Sequence, residues 1–202
     1  MKKENYSYIK QLFVLILILV GVLSRTVYHP GYNIEIITSI CLLSGYYLGW
    51  RWGMVVPLVI MVVTDLFIGN TNIIIFTWSA YILIGILGYV TKLKTPASPA
   101  GRQNSKLKAI RLIGLGFASS IWFYLWTNFG VWILDSFGMY PKTLSGLINC
   151  YILGLPFFKY NIIGNIIFVP LTFTIVETIM IYLPGLAIRQ KFKKTNIKPV
   201  NK

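Results

Sequence analysis

Charge is scarce in this chain. Only 12% of its 202 residues are charged and 56% are hydrophobic, where a soluble domain has about 25% and about 45–50%. Together with a mean hydropathy of +0.69, this composition excludes a soluble globular domain. Acid is scarcer still, with five Asp and Glu against 19 Lys and Arg. Histidine occurs once, as His29, which rules out a metal cage built from histidines. Cys41 and Cys150 both fall in apolar runs and neither belongs to a CxxC. They read as small buried hydrophobes, not as a disulfide or metal pair. HExxH and Walker A strings are missing, so the chain offers neither zincin chemistry nor an ATP site of its own. No cofactor is expected.

The net charge of +14 does not indicate nucleic acid, because the basic residues cluster beside apolar runs in the manner of membrane orientation signals. A bilayer-crossing helix needs roughly 17–25 mostly apolar residues. Six segments meet or approach this length, at about 9–27, 34–50, 53–69, 72–91, 109–134 and 161–186. The stretch 92–108 is the one hydrophilic linker, rich in Pro, Gly and Ser. With six crossings, all of the 19 basic residues except Arg25, Lys142 and Lys159 fall on one side. The positive-inside rule then makes both termini, the linker and the basic tail 187–202 cytoplasmic. The apolar stretch 144–158 is short for a crossing, and a crossing there would put the basic tail outside. It reads as a re-entrant or interfacial outer segment. The expected fold is therefore an all-α integral membrane protein with six transmembrane helices, N-in/C-in, in a bacterial inner or plasma membrane. The N-terminal run also fits a cleavable signal sequence, with Val22-Leu23-Ser24 as the cleavage site.

Once depth is assigned, the polar residues collect in the outer half. Arg25, His29, Asn33 and Glu35 lie in or beside the first outer loop. Asp65, Asn70 and Asn72 lie near the next one, Thr127, Asn128 and Asp135 near the third, and Asn149, Asn161 and Asn165 follow. Polar and charged residues inside spans usually face a bundle interior or a cavity. Trp78, Trp126, Trp132 and Tyr140 accompany them. An outward pocket of amide, carboxylate and indole groups suits a small, flat, partly polar solute. The ligand-binding residues expected are Arg25, His29, Asn33, Asp65, Trp78, Trp126, Asn128, Trp132, Tyr140 and Asn165. Each has a plainer reading: interfacial belt for the aromatics, turn residues for Asn70 and Asn72, interhelical hydrogen bonds for Asp65 and Asn128. Glu177 stands apart as a packing residue, a partner for a basic side chain or a coupling element.

The strings "RTVYHPGYN" (25–33), "TDLFIG" (64–69), "TNFGVW" (127–132) and "YPKTLSGLINCYILGLPFF" (140–158) resemble those of an uncharacterised family of small bacterial membrane proteins, a domain of unknown function. In size, topology and polar placement the chain is also similar to the substrate-binding S components of energy-coupling-factor transporters. That resemblance implies capture of a vitamin or similar micronutrient near the outer face. It also implies a coupling membrane protein with two ATPases as partners, and no enzymatic activity. The chain departs from those proteins in its first span, where "QLFVLILILVG" (11–21) replaces their alanine-rich small-xxx-small surface. A polytopic scaffold without a ligand, an integral-membrane enzyme using His29, Asp65 or Asp135, and transport by the chain itself are the other readings.

Overall fold

The computed structural model describes residues 3–27, 36–69, 72–93, 105–135 and 137–182. His29 and Asn33, with the rest of the 28–35 connection, lie outside the described residues, as does the basic tail. Six helices account for nearly all of the described chain: α1 (Lys3–Thr26), α2 (Ile37–Leu43), α3 (Trp50–Ile68), α4 (Ile74–Leu93), α5 (Ser105–Leu134) and α6 (Leu144–Tyr182). Helix α2 continues without a break as a π-helical turn, Ser44–Leu48. Five of the six are long and apolar enough to span a membrane, so the chain is a multi-pass membrane protein.

Two segments differ from the sequence expectation. The second expected span, 34–50, appears as a helix running only from Ile37 to Leu48, about 18 Å long at 1.5 Å per residue, against a hydrocarbon core of about 30 Å. All of it is buried except Tyr46, because α1, α3, α4 and α6 surround it. A helix apolar on every side belongs in such a place. It ends at Gly49, whose φ of 98° and ψ of 172° only glycine adopts readily, and the chain reverses there directly into α3.

The second difference is at 144–158. This stretch is no separate outer segment; it is the first part of a single 39-residue helix, α6. Proline inside a membrane helix is tolerated when neighbours satisfy the freed backbone groups. On either side of Pro156 helix α5 bonds to the α6 backbone, the Tyr124 hydroxyl donating to the Tyr151 carbonyl at 2.5 Å and Ser120 Oγ to the Asn161 carbonyl at 3.4 Å. Helix α5 thus lies along α6 and splints it.

The pairings fix the direction of every long helix. Arg25 of α1 meets Asp65 of α3, which meets Trp78 of α4; Trp126 of α5 reaches Ser79 of α4; Cys150 of α6 reaches Asn128 of α5. At the opposite end Lys10 lies over the Trp52 ring and Lys108 pairs with Glu177. The start of α1 and the end of α6 therefore lie at the same end of the bundle. Packing is closest where α2, α3 and α4 meet. A Cβ on Gly85 would stand 1.8 Å from the Gly53 carbonyl oxygen, and one on Gly45 would stand 1.8 Å from that of Gly85. Glycines that let backbones touch are the usual device for packing helices in lipid, where apolar side chains gain little by leaving the bilayer. Helices α1 and α6 stand apart across α2, leaving an apolar groove of about 310 Å³ walled by residues such as Leu12, Ile16 and Ile175.

Candidate functional site

The densest polar cluster joins α1, α3 and α4 at the Arg25 end. Arg25 Nη1 donates to Asp65 Oδ1 at 2.9 Å, to Thr64 Oγ1 at 2.8 Å and to Met61 Sδ at 3.0 Å. The second carboxylate oxygen of Asp65 accepts from Trp78 Nε1 at 2.6 Å. The Arg25 and Asp65 side chains are only 17% and 7% exposed. Charges withdrawn from water this far are tolerable when paired and hydrogen-bonded. Helix periodicity explains the assembly: Met61, Thr64 and Asp65 are one turn apart on α3, so one guanidinium at the end of α1 reaches all three. Three expected site residues, Arg25, Asp65 and Trp78, are thus brought together.

The other expected residues are dispersed. Trp126 Nε1 donates to Ser79 Oγ at 2.8 Å, and its ring stacks on Trp122 and leans on Phe76, knitting α4 to α5. Asn128 donates to the Tyr124 carbonyl of its own helix at 2.8 Å and lies against Gly154. Asn165 Nδ2 donates to Ser120 Oγ at 2.8 Å and to Asn161 Oδ1 at 3.0 Å, deep in the α5–α6 seam. Trp132 Nε1 donates to the Pro141 carbonyl at 3.1 Å, and Lys142 sits over its ring while donating to the Trp132 and Ile133 carbonyls at the end of α5. Trp132 therefore shapes the α5–α6 loop.

Tyr140 alone of these enters a second feature, a pocket of about 300 Å³ between the start of α4 and the α5–α6 loop. Asn72, Asp135 and Tyr140 supply its polar groups, and Phe137 and Met139 much of its apolar wall. Asp135 accepts backbone N–H bonds from Tyr140 at 2.7 Å and Met139 at 3.1 Å. The Tyr140 bond above all, then that of Met139 and the Lys142 charge, outweigh desolvation and hold the carboxyl below its ordinary pKa. Desolvation first, then Cys150 and Asp135, raises the Tyr140 phenol. The pocket presents an ionised carboxylate, a neutral phenol and an amide. Among the described residues no three His, Cys, Asp or Glu gather as a metal-binding group.

Sequence reasoning did not anticipate Thr64, Met61 and Ser79, the partners that fix Arg25 and Trp126. Their only signal was helical spacing from residues already singled out. Glu177 resolves to a partner of a basic residue: it pairs with Lys108 of α5 and accepts from the Tyr47 hydroxyl of the π-turn at 3.4 Å. Lys159 has moved furthest from expectation. Continuity of α6 takes it from an outer connection to the middle of a helix. The Tyr81–Phe123 ring pair lies near mid-length of α4, and Tyr124 stacks on Phe158 at 4.3 Å. Lys159 is therefore level with a point about 10 Å from the start of α4 and about 18 Å from its end. It is exposed on the bundle surface. On an insertion scale a lysine at such depth costs about 2.5–3.5 kcal/mol.

Residues 5–186 match the model of a family of unknown function, DUF6580. The chain belongs to this family. No curated protein and no solved structure matches it significantly. Membership of DUF6580 agrees with the resemblance carried by the four motifs, and it brings no activity with it.

Proposed function

We propose that this DUF6580 protein is a solute-binding subunit of an uptake system in a bacterial cell membrane, similar to the S components of energy-coupling-factor transporters. In this reading the second of six passes is 34–50, both termini are cytoplasmic, and the Arg25 end faces outward. The observation that carries it is the pocket of about 300 Å³ at that end, with Asn72, Asp135 and Tyr140 among apolar walls. Such a volume and lining suit a small vitamin-like or micronutrient-like solute. The Arg25–Asp65–Trp78 cluster stands at the same end and joins α1, α3 and α4. Energy must come from other subunits, a coupling membrane protein with ATPases.

Native mass spectrometry of the gently purified protein, with extraction of bound small molecules, tests the proposal. A stoichiometric organic ligand that Tyr140→Ala loses is the expected result. A protein that is empty and ignores a panel of added micronutrients would overturn it. A scaffold is the second reading, favoured because Arg25, Asp65, Trp78 and Trp126 already spend their polar atoms on one another and on Ser79 and Thr64.

A further inference from the structure

Lys159 lies inside the length of the bundle, nearer its Arg25 end, and is exposed on its surface. The side of α6 that meets α5 carries Cys150, Gly154, Phe158, Asn161 and Asn165. Lys159 is on the opposite side, in line with Ile152 and Leu155 before it and Ile163 and Ile167 after it, all four exposed. Their spacing of three and four residues makes one continuous seam along the helix. Lys159 has no hydrogen bond or ion pair with any described residue. Arg25 and Lys108, by contrast, each have a carboxylate. Snorkelling serves lysines near helix ends, and this one is 15 residues into α6.

We infer that the Lys159 seam of α6 docks a transmembrane helix of a different membrane protein, one that carries an Asp or Glu at the depth of Lys159. An apolar seam with one polar residue fixes register in paired helices, and an unpaired ammonium in hydrocarbon selects a carboxylate. A second copy of this chain does not offer that carboxylate among the described residues. Asp65 and Glu177 are held by Arg25 and Lys108, Asp135 lies in the α5–α6 loop, and Glu4 opens α1 at the opposite end of the bundle. Through its first half, moreover, α6 packs on α5 alone, since its remaining helix contact, with α2, falls toward the other end. That leaves the seam open along its length.

The test is photo-crosslinking of the full-length protein in the membrane of cells that make it. A benzophenone amino acid is placed at Leu155 or Ile163 on the seam, and at Leu12 of α1 as a control. The expected result is one partner captured from both seam positions and not from Leu12, with the cross-linked peptide in an apolar segment bearing an Asp or Glu. Lys159→Leu should reduce that capture at least tenfold, while membrane level and thermal stability of the purified protein hold or rise. Lys159→Arg should keep it, and a Lys159→Glu variant should regain capture when the partner's acid is changed to lysine. Adducts with lipid only, adducts with a second copy, a partner segment without an acid, or undiminished capture by Lys159→Leu would each overturn the inference.

Discussion

Arg25 and Lys159 are both cations within membrane-length helices, and the fold treats them in opposite ways. Arg25 ends α1 against a carboxylate, a hydroxyl and a thioether from one turn of α3. Lys159 faces outward from α6 with none of these. The contrast extends to the regions around them. Helices α1 to α4 form a closed block whose backbones touch at Gly45, Gly53 and Gly85. Helices α5 and α6 form a long hairpin, zipped along one side and bare along the other. A bilayer gives no hydrophobic reward for helix association, so closure has to come from close backbone contact and interhelical polar bonds. The block has both of these, whereas the outer side of α6 has neither. The block is closed at its centre, around α2, and the hairpin is open along the outer side of α6.

The sharpest way to break this comparison is to remove one member of the buried pair. Asp65→Leu leaves the Arg25 guanidinium largely buried without its carboxylate, and strands Trp78 Nε1 as well. Loss of one partner of a buried pair costs about 3–5 kcal/mol. The midpoint of unfolding of the purified protein in detergent should fall accordingly. The double variant Arg25→Leu/Asp65→Leu should recover most of that loss, because replacing both charges with apolar groups is close to neutral. A double variant as unstable as Asp65→Leu alone would mean that Arg25 adds nothing to closure of the block.

The next effect sharpens the difference between close-packed and open helices. In Gly85→Ala the new Cβ meets the Gly53 carbonyl oxygen at 1.8 Å, and backbone on both sides has to move. Overpacking of this kind costs about 1–3 kcal/mol. Gly114→Ala in α5 meets nothing within 4 Å, and should change stability by no more than about 0.5 kcal/mol. Thermal unfolding of the two variants side by side checks the pair. Equal effects would dissolve the distinction between block and hairpin.

These residues also mark how far the sequence could be read. Apolar runs were enough to read α1, α3, α4 and α5 as apolar helices of membrane length, since hydropathy over about 20 residues is what the bilayer selects. Arg25, Asp65 and Trp78 were legible only as three of ten expected pocket residues; that they bond to one another needed the register of α1, α3 and α4. The length of α2 was not legible: whether an apolar run reaches the membrane surface or stops inside depends on neighbours that a window of residues does not contain. The continuity of α6 escaped for a related reason. Pro156 and Lys159 look like an interruption until α5 is seen to lie along the helix on both sides of them, bonded to the Tyr151 and Asn161 carbonyls. That misreading assigned Lys159 to a loop and hid the most informative charge in the chain.

The smallest effect concerns the loop that joins the hairpin. Asp135 holds that loop through the backbone N–H groups of Tyr140 and Met139, and these bonds set its folded pKa below the ordinary 3.8. A carboxyl depressed in the folded state stabilises it fully above the unfolded value, and the contribution fades as pH falls through the lower folded one. The loop should therefore keep its form from neutral pH down to about 4 and loosen only below that. Because Trp132 donates to the Pro141 carbonyl within the same turn, its indole reports the change. Fluorescence of a variant in which Trp132 is the only remaining tryptophan of α5 and its loop should shift at acid pH, and Asp135→Asn should abolish the acid step while lowering the signal of an ordered loop at neutral pH. An acid transition that survives Asp135→Asn would assign it to another carboxylate, and the hairpin would then be held at its tip by Lys142 and Trp132 alone.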